Sequence, residues 1–399
     1  MERGKRVAIL MTSAISFNHL MRGQLEYLRS EGARLDLYSG GPESELRALR
    51  ERGVGRVCYV PFRREPSPLW DVVCLGWLTV LLIFRRYDTV VYSTPKAMFV
   101  GSVAAWLARQ KRRIAWARGR AYENFRGRKR ALYVALDRVC FHLSNTILLV
   151  SPSLVDVYDA DEIDIREKVV VVGHGSSNGV DTGRFRPLAA KERTALRATL
   201  GLGPADFVVV VVGRIRQDKG SREILELSRR LADVSHLRIV MVGTIEEPAL
   251  IRQIEGHGDR LRSFAPASDV ERFFQVADLH LFLSHREGFG NVAIEAAATG
   301  VPTFGFDVVG VRNSVIDSAT GRLFSFGDVD SLESAIRSAA SDPSRFRAEY
   351  SNSRAIVSER FSQDAVWRGY AGLFLGPAEG SGADAPYDRL TDARGSPTS

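Results

Sequence analysis

The sequence predicts an α/β protein of two doubly wound, Rossmann-like domains, and three observations carry that prediction. Short runs rich in Val, Ile and Leu alternate with helical stretches along the whole chain. Most of these runs are continuously apolar rather than alternating, as expected of parallel strands covered on both faces. The length of 399 residues, 45% of them hydrophobic, is too great for one compact core and suits two domains of roughly 150–190 residues.

In the first half the strand-like runs fall at residues 7–13, 34–39, 57–61, 89–93, 113–117, 147–151 and 169–173. A linker-like stretch at 185–204 follows, and the pattern resumes at 207–212, 237–242, 261–264, 279–284 and 302–306. The domains are therefore expected at residues 1–186 and 187–358, with a helix at 359–375 packing back toward the first domain. Residues 376–399 lack apolar periodicity and read as a disordered tail. Ligands of doubly wound sheets sit at the carboxyl ends of the strands, so a cleft faced by the two sheets is the expected site.

Charge is unevenly placed. Residues 1–186 hold 30 Lys and Arg against 19 Asp and Glu, and residues 187–399 hold 25 against 28. The basic half is expected to meet something anionic. Cys58, Cys74 and Cys140 have no ligand spacing and read as buried thiols of a reducing, cytoplasmic compartment. The opening run, MERGKRVAILMTSAISF, reads as a buried first strand rather than a signal peptide, because no convincing cleavage site follows it. Pro68–Phe84 is strongly apolar, yet it contains Asp71 and is shorter than the ~20 residues a spanning helix needs. A buried or surface-seated helix is expected there.

The most informative stretch is SHREGFGNVAIEAAATGVP, residues 284–302. It follows an apolar strand and opens a helix near Asn291. Gly288 and Gly290 permit a tight turn presenting backbone N–H groups, and the helix N-terminus adds a positive dipole, which together suit a diphosphate. Glu287 lies in the loop and Glu295 one turn into the helix; a carboxylate accepting two hydrogen bonds is a natural partner for a sugar or ribose diol. VVVVVGRIRQDKGSREIL, residues 208–225, places Arg214 at the end of another strand and Lys219 just before Gly220. Two cations at that edge can neutralise charge on a departing diphosphate.

The order GR…KG followed by REGFGNVAIEAAATGVP resembles family 4 of the retaining GT-B glycosyltransferases, whose signature pairs two glutamates separated by seven residues, here Glu287 and Glu295. GHGSSNGVDTGRF, residues 173–185, looks like the loop closing the N-terminal domain in that family, and its wording points to the bacterial branch that builds capsule, O-antigen and related lipid-linked glycans. The resemblance implies a metal-independent hexosyl- or N-acetylhexosaminyl-transferase that needs no cofactor. Its donor would be a nucleotide sugar, UDP-linked, and its acceptor a polyprenyl-diphosphate-linked glycan at the inner face of the plasma membrane. It further implies that Arg214 and Lys219 bind the donor diphosphate. Glu287, with the N–H groups of Gly288, Phe289 and Gly290 and the adjoining Asn291, would hold sugar and phosphate; Glu295 would bind ribose, and Phe264 and Ala265 would flank the base.

The chain departs from that pattern in two places. Where many relatives carry a histidine after the strand RIAWARG, it has Ala117 and Arg118, so Arg118 is a candidate for a donor or acceptor phosphate; Leu283 replaces a usual proline. Asp159 and Asp161 copy a metal-binding Asp-x-Asp, but in an acidic stretch far from the donor motifs, so their double replacement by Asn is expected to be almost silent. His280 and His285 lack a second ligand pair for zinc. Residues 109–130 carry ten cations and one acid interleaved with Trp116, Tyr122 and Phe125. Arg126, Arg128, Lys129 and Arg130 are read there as a surface for anionic lipid rather than nucleic acid. The competing readings are a sugar-nucleotide epimerase on the same fold and a non-catalytic donor-binding membrane scaffold.

Overall fold

The computed structural model describes residues 4–63, 67–120, 122, 125–376 and 388–389. Contacts divide the chain into two units, residues 1–178 with 364–399, and residues 179–363. The division falls at 178/179 rather than 186/187 because Val180 donates to the carbonyl of Phe361 and accepts from Gln363. That bonding ties residues 179–186 to the second unit.

The first unit is a parallel sheet of β1 (Arg6–Ser13), β2 (Arg34–Gly40), β3 (Arg56–Tyr59), β4 (Thr89–Ser93), β5 (Arg113–Ala117), β6 (Thr146–Leu149) and β7 (Val169–Val171). Their order is β7-β6-β5-β4-β1-β2-β3. The opening apolar run is β1, in register with β2 and β4 on its two sides, and Val7–Met11 are wholly buried. The helix Gln363–Leu375 belongs to this unit: Tyr370 and Phe374 pack on Trp116, at 4.8 and 5.6 Å between ring centroids. Thr89 Oγ1 donates to the carbonyl of Phe374 at 2.8 Å.

The second sheet holds β8 (Phe207–Val212), β9 (Leu237–Val242), β10 (Leu261–Phe264), β11 (Leu279–Phe282), β12 (Thr303–Phe306) and β13 (Gly321–Phe324). All are parallel, in the order β10-β9-β8-β11-β12-β13. The helix Ser221–Arg230 shows how the layers join: Ile224, Leu225 and Leu227 turn into a core shared with Phe207, Ile239 and Leu281, while Arg229 and Arg230 close its last turn. The sequence pattern had missed β13, a short edge strand that begins at a glycine and buries its residues unevenly.

Three expectations change in the structure. The stretch 185–204 is not a plain linker, for it contains the helix Ala190–Thr199. Arg197 and Arg193 of that helix bind Asp278 at 2.7 and 2.8 Å, and Asp278 is 2% exposed, so the helix is bolted to the second domain through a buried ion cluster. The disordered reading of 376–399 falls almost wholly outside the described residues, yet Asp388–Arg389 form β14, antiparallel to β7. An edge strand offers unpaired backbone groups that even a polar segment can satisfy.

Third, the aromatics of residues 109–130 are not an interfacial belt. Trp116 sits on central strand β5 with no exposure, Tyr122 is buried, and Phe125 lies beneath the Lys129 ammonium, 3.9 Å from its ring centroid. Apolar exposure is found instead on the helix Pro68–Phe84. Cys74, Leu78 and Leu82 face the core, and Asp71 pairs with Lys96 at 2.9 Å. Its other face presents Leu69 (87% exposed), Val72, Val73, Trp77, Val80, Ile83 and Phe84 (84% exposed). Among the described residues no helix is long and apolar enough to cross a membrane.

Candidate functional site

In the second domain the expected residues gather at the carboxyl ends of β8 and β11. After β8 the chain turns through a short 3₁₀ segment, Gln217–Lys219, to Gly220. Gly220 has φ +80°, and a Cβ there would meet the Leu283 carbonyl oxygen at 2.4 Å, so only glycine lets this loop press on the end of β11. That approach brings Lys219 to Glu287, 68 residues apart in sequence, with Nζ donating to Oε1 at 2.5 Å. Ser284 Oγ donates to the same oxygen at 2.7 Å. Both partners of the ion pair are partly buried.

The turn after Glu287 is fixed from beneath. Gly290, at φ +87°, precedes the helix Asn291–Ala298, and a Cβ there would strike the Phe282 ring. Phe289 is buried and packs on Phe361 at 5.4 Å, so it contributes an anchor and a backbone N–H rather than an exposed ring. Gly288 to Asn291 thus form one rigid turn at a helix N-terminus, as a diphosphate site requires. Glu295 lies on the same helix; burial pushes its carboxyl up to about 7, with Arg184 opposing and Glu271 adding to the shift.

Arg214 sits apart from the Lys219–Glu287 pair. It is exposed and bonded to Glu246 Oε1 at 3.3 Å, while Arg216 holds Glu246 Oε2 at 3.1 Å and Asp218 at 2.5 Å. Arg286 reaches Asp218 at 3.5 Å. Sequence reasoning missed Ser284, Arg216, Asp218, Glu246 and Arg286, although all but Glu246 lie inside the stretches it singled out. Phe264 ends β10 and Ala265 follows it, with Phe264 against the Phe273 ring at 5.2 Å. Sheet order puts β10 three strand spacings from β11, roughly 14 Å at about 4.8 Å each.

The decoy residues have ordinary explanations, with one correction. His280 is fully buried, bonds Thr303 Oγ1 at 3.0 Å, and is lowered to about 3 by burial. His285 bonds Glu223 at 3.0 Å. Asp159 pairs with Arg166, and among the described residues no three ligating side chains cluster as a metal site. Asp161, however, is not a solvated acid: its side chain is 0% exposed and it joins Arg120, at 2.6 Å, to Arg130. Replacing it is therefore not expected to be silent, and Arg130, though still 43% exposed, is committed to that carboxylate. Arg126, Arg128 and Lys129 remain exposed at the start of the helix Gly127–Leu143. Arg118 directly follows β5 and lies on Trp116.

Known proteins resemble this chain in sequence and in fold. Residues 192–355 match the family model described as "Glycosyl transferases group 1". The capsular polysaccharide biosynthesis glycosyltransferase CapM of Staphylococcus aureus is 26% identical over 371 residues, covering 90% of this chain and 95% of that one. The D-inositol 3-phosphate glycosyltransferase of Nocardia farcinica is 35% identical over 209 residues, 49% of this chain; the chain spans 44% of that relative's length. Anabaena Alr3699/HepE, solved with UDP and with UDP-glucose, superposes with TM-scores of 0.75 and 0.74 at 20% identity, covering 92% of this chain and 99% of that one. The chain has the two-Rossmann-domain GT-B fold. The match to that family model lies within its second domain.

Proposed function

We propose that the protein is a retaining glycosyltransferase, transferring a hexosyl or N-acetylhexosaminyl group from a UDP-linked donor to a polyprenyl-diphosphate-linked glycan. It works at the inner face of the membrane in surface polysaccharide synthesis. The observation that carries the reading is the Lys219–Glu287–Ser284 cluster set directly before a glycine turn and helix N-terminus. Such a cluster offers a cation and backbone donors to a diphosphate and a carboxylate to sugar hydroxyls. Support for the donor comes from HepE, solved with UDP-glucose, and for the pathway from CapM.

In this reading Lys219 leaves Glu287 for the donor phosphates, freeing the carboxylate to accept from the sugar. Arg214 shares the leaving-group charge, Glu295 accepts from the ribose diol, and Phe264 with Ala265 borders the base. Attack comes from the face the diphosphate leaves, assisted by that phosphate, so no second carboxylate of the glycosidase kind is needed. With cations and a helix dipole serving the diphosphate, a divalent ion is redundant. Membrane seating is supported by the exposed apolar face of Pro68–Phe84 and the exposed cations Arg126, Arg128 and Lys129. The test is thermal shift against UDP and a panel of nucleotide sugars, followed by donor turnover in excess EDTA. Stabilisation by UDP and turnover undiminished by EDTA are expected. Absence of any nucleotide-dependent shift, or abolition by chelator with rescue by magnesium or manganese, overturns the reading.

A further inference from the structure

Two carboxylates shielded in the fold are matched by arginines among the described residues: Arg193 and the buried Arg197 hold Asp278, and Arg120 and the half-exposed Arg130 hold Asp161. Arg118 has no such partner among the described residues. Its guanidinium lies over the Trp116 indole, 3.6 Å from the ring centroid. Nε donates to Ser93 Oγ at 3.3 Å, and Ser93 Oγ donates onward to the Trp116 carbonyl at 3.0 Å. Nη1 and Nη2 are shielded from solvent and have no hydrogen-bond partner among the described residues. The neighbouring Tyr370 hydroxyl is committed to the Ser176 carbonyl at 2.8 Å. Burial pulls Arg118 down to about 10, with Tyr370 opposing, so it remains a cation at neutral pH.

Leaving four N–H donors of a shielded guanidinium unmatched is costly, and a group so placed calls for a partner that completes it. The position fits a ligand site. Arg118 stands just past the carboxyl end of β5 and Ser93 at the end of β4, the edge where doubly wound sheets bind. The 13-residue helix Pro95–Leu107 begins two residues beyond Ser93, which brings its positive end to the same edge. A guanidinium fork with both terminal nitrogens free matches a carboxylate or phosphate in bidentate geometry, and a neutral hydroxyl poorly.

We propose that Arg118 is a specificity residue of the first domain that grips an oxyanion, carboxylate or phosphate, borne by a sugar ligand. The proposal rests on the glycosyltransferase reading for the identity of that ligand as donor or acceptor sugar. The donor sugar or the acceptor sugar is accordingly acidic.

The test compares charged and neutral ligand pairs by calorimetry on the full chain, as wild type, Arg118→Met and Arg118→Lys. UDP-glucuronate against UDP-glucose probes a donor source; glucuronate and glucose 6-phosphate against glucose probe an acceptor source. Wild type is expected to prefer the charged member of at least one pair by tenfold or more. Arg118→Met should erase that preference and Arg118→Lys restore part of it, while all three bind UDP alike. The melting temperature of ligand-free Arg118→Met should equal or exceed that of wild type, because an unpaired buried charge has been removed. No preference in wild type, a preference that survives Arg118→Met, or a lower melting temperature in that variant overturns the proposal. If UDP fails to bind wild type, the glycosyltransferase reading falls, and the free-sugar pairs still decide the role of Arg118.

Discussion

Replacing Lys219 by alanine separates its structural contribution from its catalytic one. In the ligand-free protein its ammonium is bound to Glu287 at 2.5 Å, but both partners are partly solvated, so the pair contributes only about 1 kcal/mol to folding. Ser284 continues to hold the Glu287 carboxylate at 2.7 Å, so the loop keeps its place. The melting temperature of Lys219→Ala should therefore fall by only a few degrees. Donor chemistry has more at stake. A charge-assisted hydrogen bond to phosphate contributes about 1.5–3 kcal/mol, which is roughly 10- to 150-fold in UDP affinity. Charge that grows on the leaving group raises the effect on turnover to two orders of magnitude or more, about 3 kcal/mol of barrier. The assay pairs calorimetric UDP binding with donor hydrolysis in the absence of acceptor, beside a melting curve. UDP binding within threefold of wild type and turnover within tenfold would remove Lys219 from the site. A collapse in stability matching the loss of activity would make it a scaffold residue instead.

Three more expectations follow from particular contacts. Asp161→Asn should destabilise the first domain by about 3–5 kcal/mol, since it strips the buried counter-charge from Arg120 and Arg130, whereas Asp159→Asn should cost under about 1 kcal/mol; denaturant melts decide. Glu295, raised to about 7 by burial, is protonated below that pH and then accepts poorly from a diol. UDP affinity should thus weaken as pH falls from 8 to 6, and Glu295→Gln should bind weakly at both ends with that part of the pH dependence gone; an unchanged profile in the variant refutes the assignment. Vesicles rich in anionic lipid should bind the protein at low salt and release it as salt rises, because screening shortens the field to roughly 8 Å at physiological strength. Serine at Arg126, Arg128 and Lys129 removes about 3 kcal/mol of attraction, and Trp77→Ser with Phe84→Ser weakens insertion separately. Indifference of either variant in a vesicle-flotation assay would clear that surface of the role.

The two-domain α/β plan and the donor motifs could be read from sequence because their signals are local. A continuous apolar run such as Val208–Val212 is a buried parallel strand wherever it occurs, and a glycine turn before a helix presents N–H groups whatever surrounds it. Even the apolar helix Pro68–Phe84 announced itself, since 17 residues around one acid already limit what it can be. Pairings between distant residues carry no such local mark. Lys219 was a plausible phosphate ligand from sequence, but its hold on Glu287 depends on how closely Gly220 approaches Leu283. Residues 109–130 looked like one basic, aromatic surface because composition counts charges without regard to depth. Folding sorts them: Trp116 goes to the middle of a sheet, Arg120 and Arg130 to the buried carboxylate of Asp161, and Arg126, Arg128 and Lys129 to solvent. Arg118 is left with two buried nitrogens unmatched among the described residues. Which charge is paired, which is free and which is buried depends on packing among elements remote in sequence, and only the tertiary structure decides it.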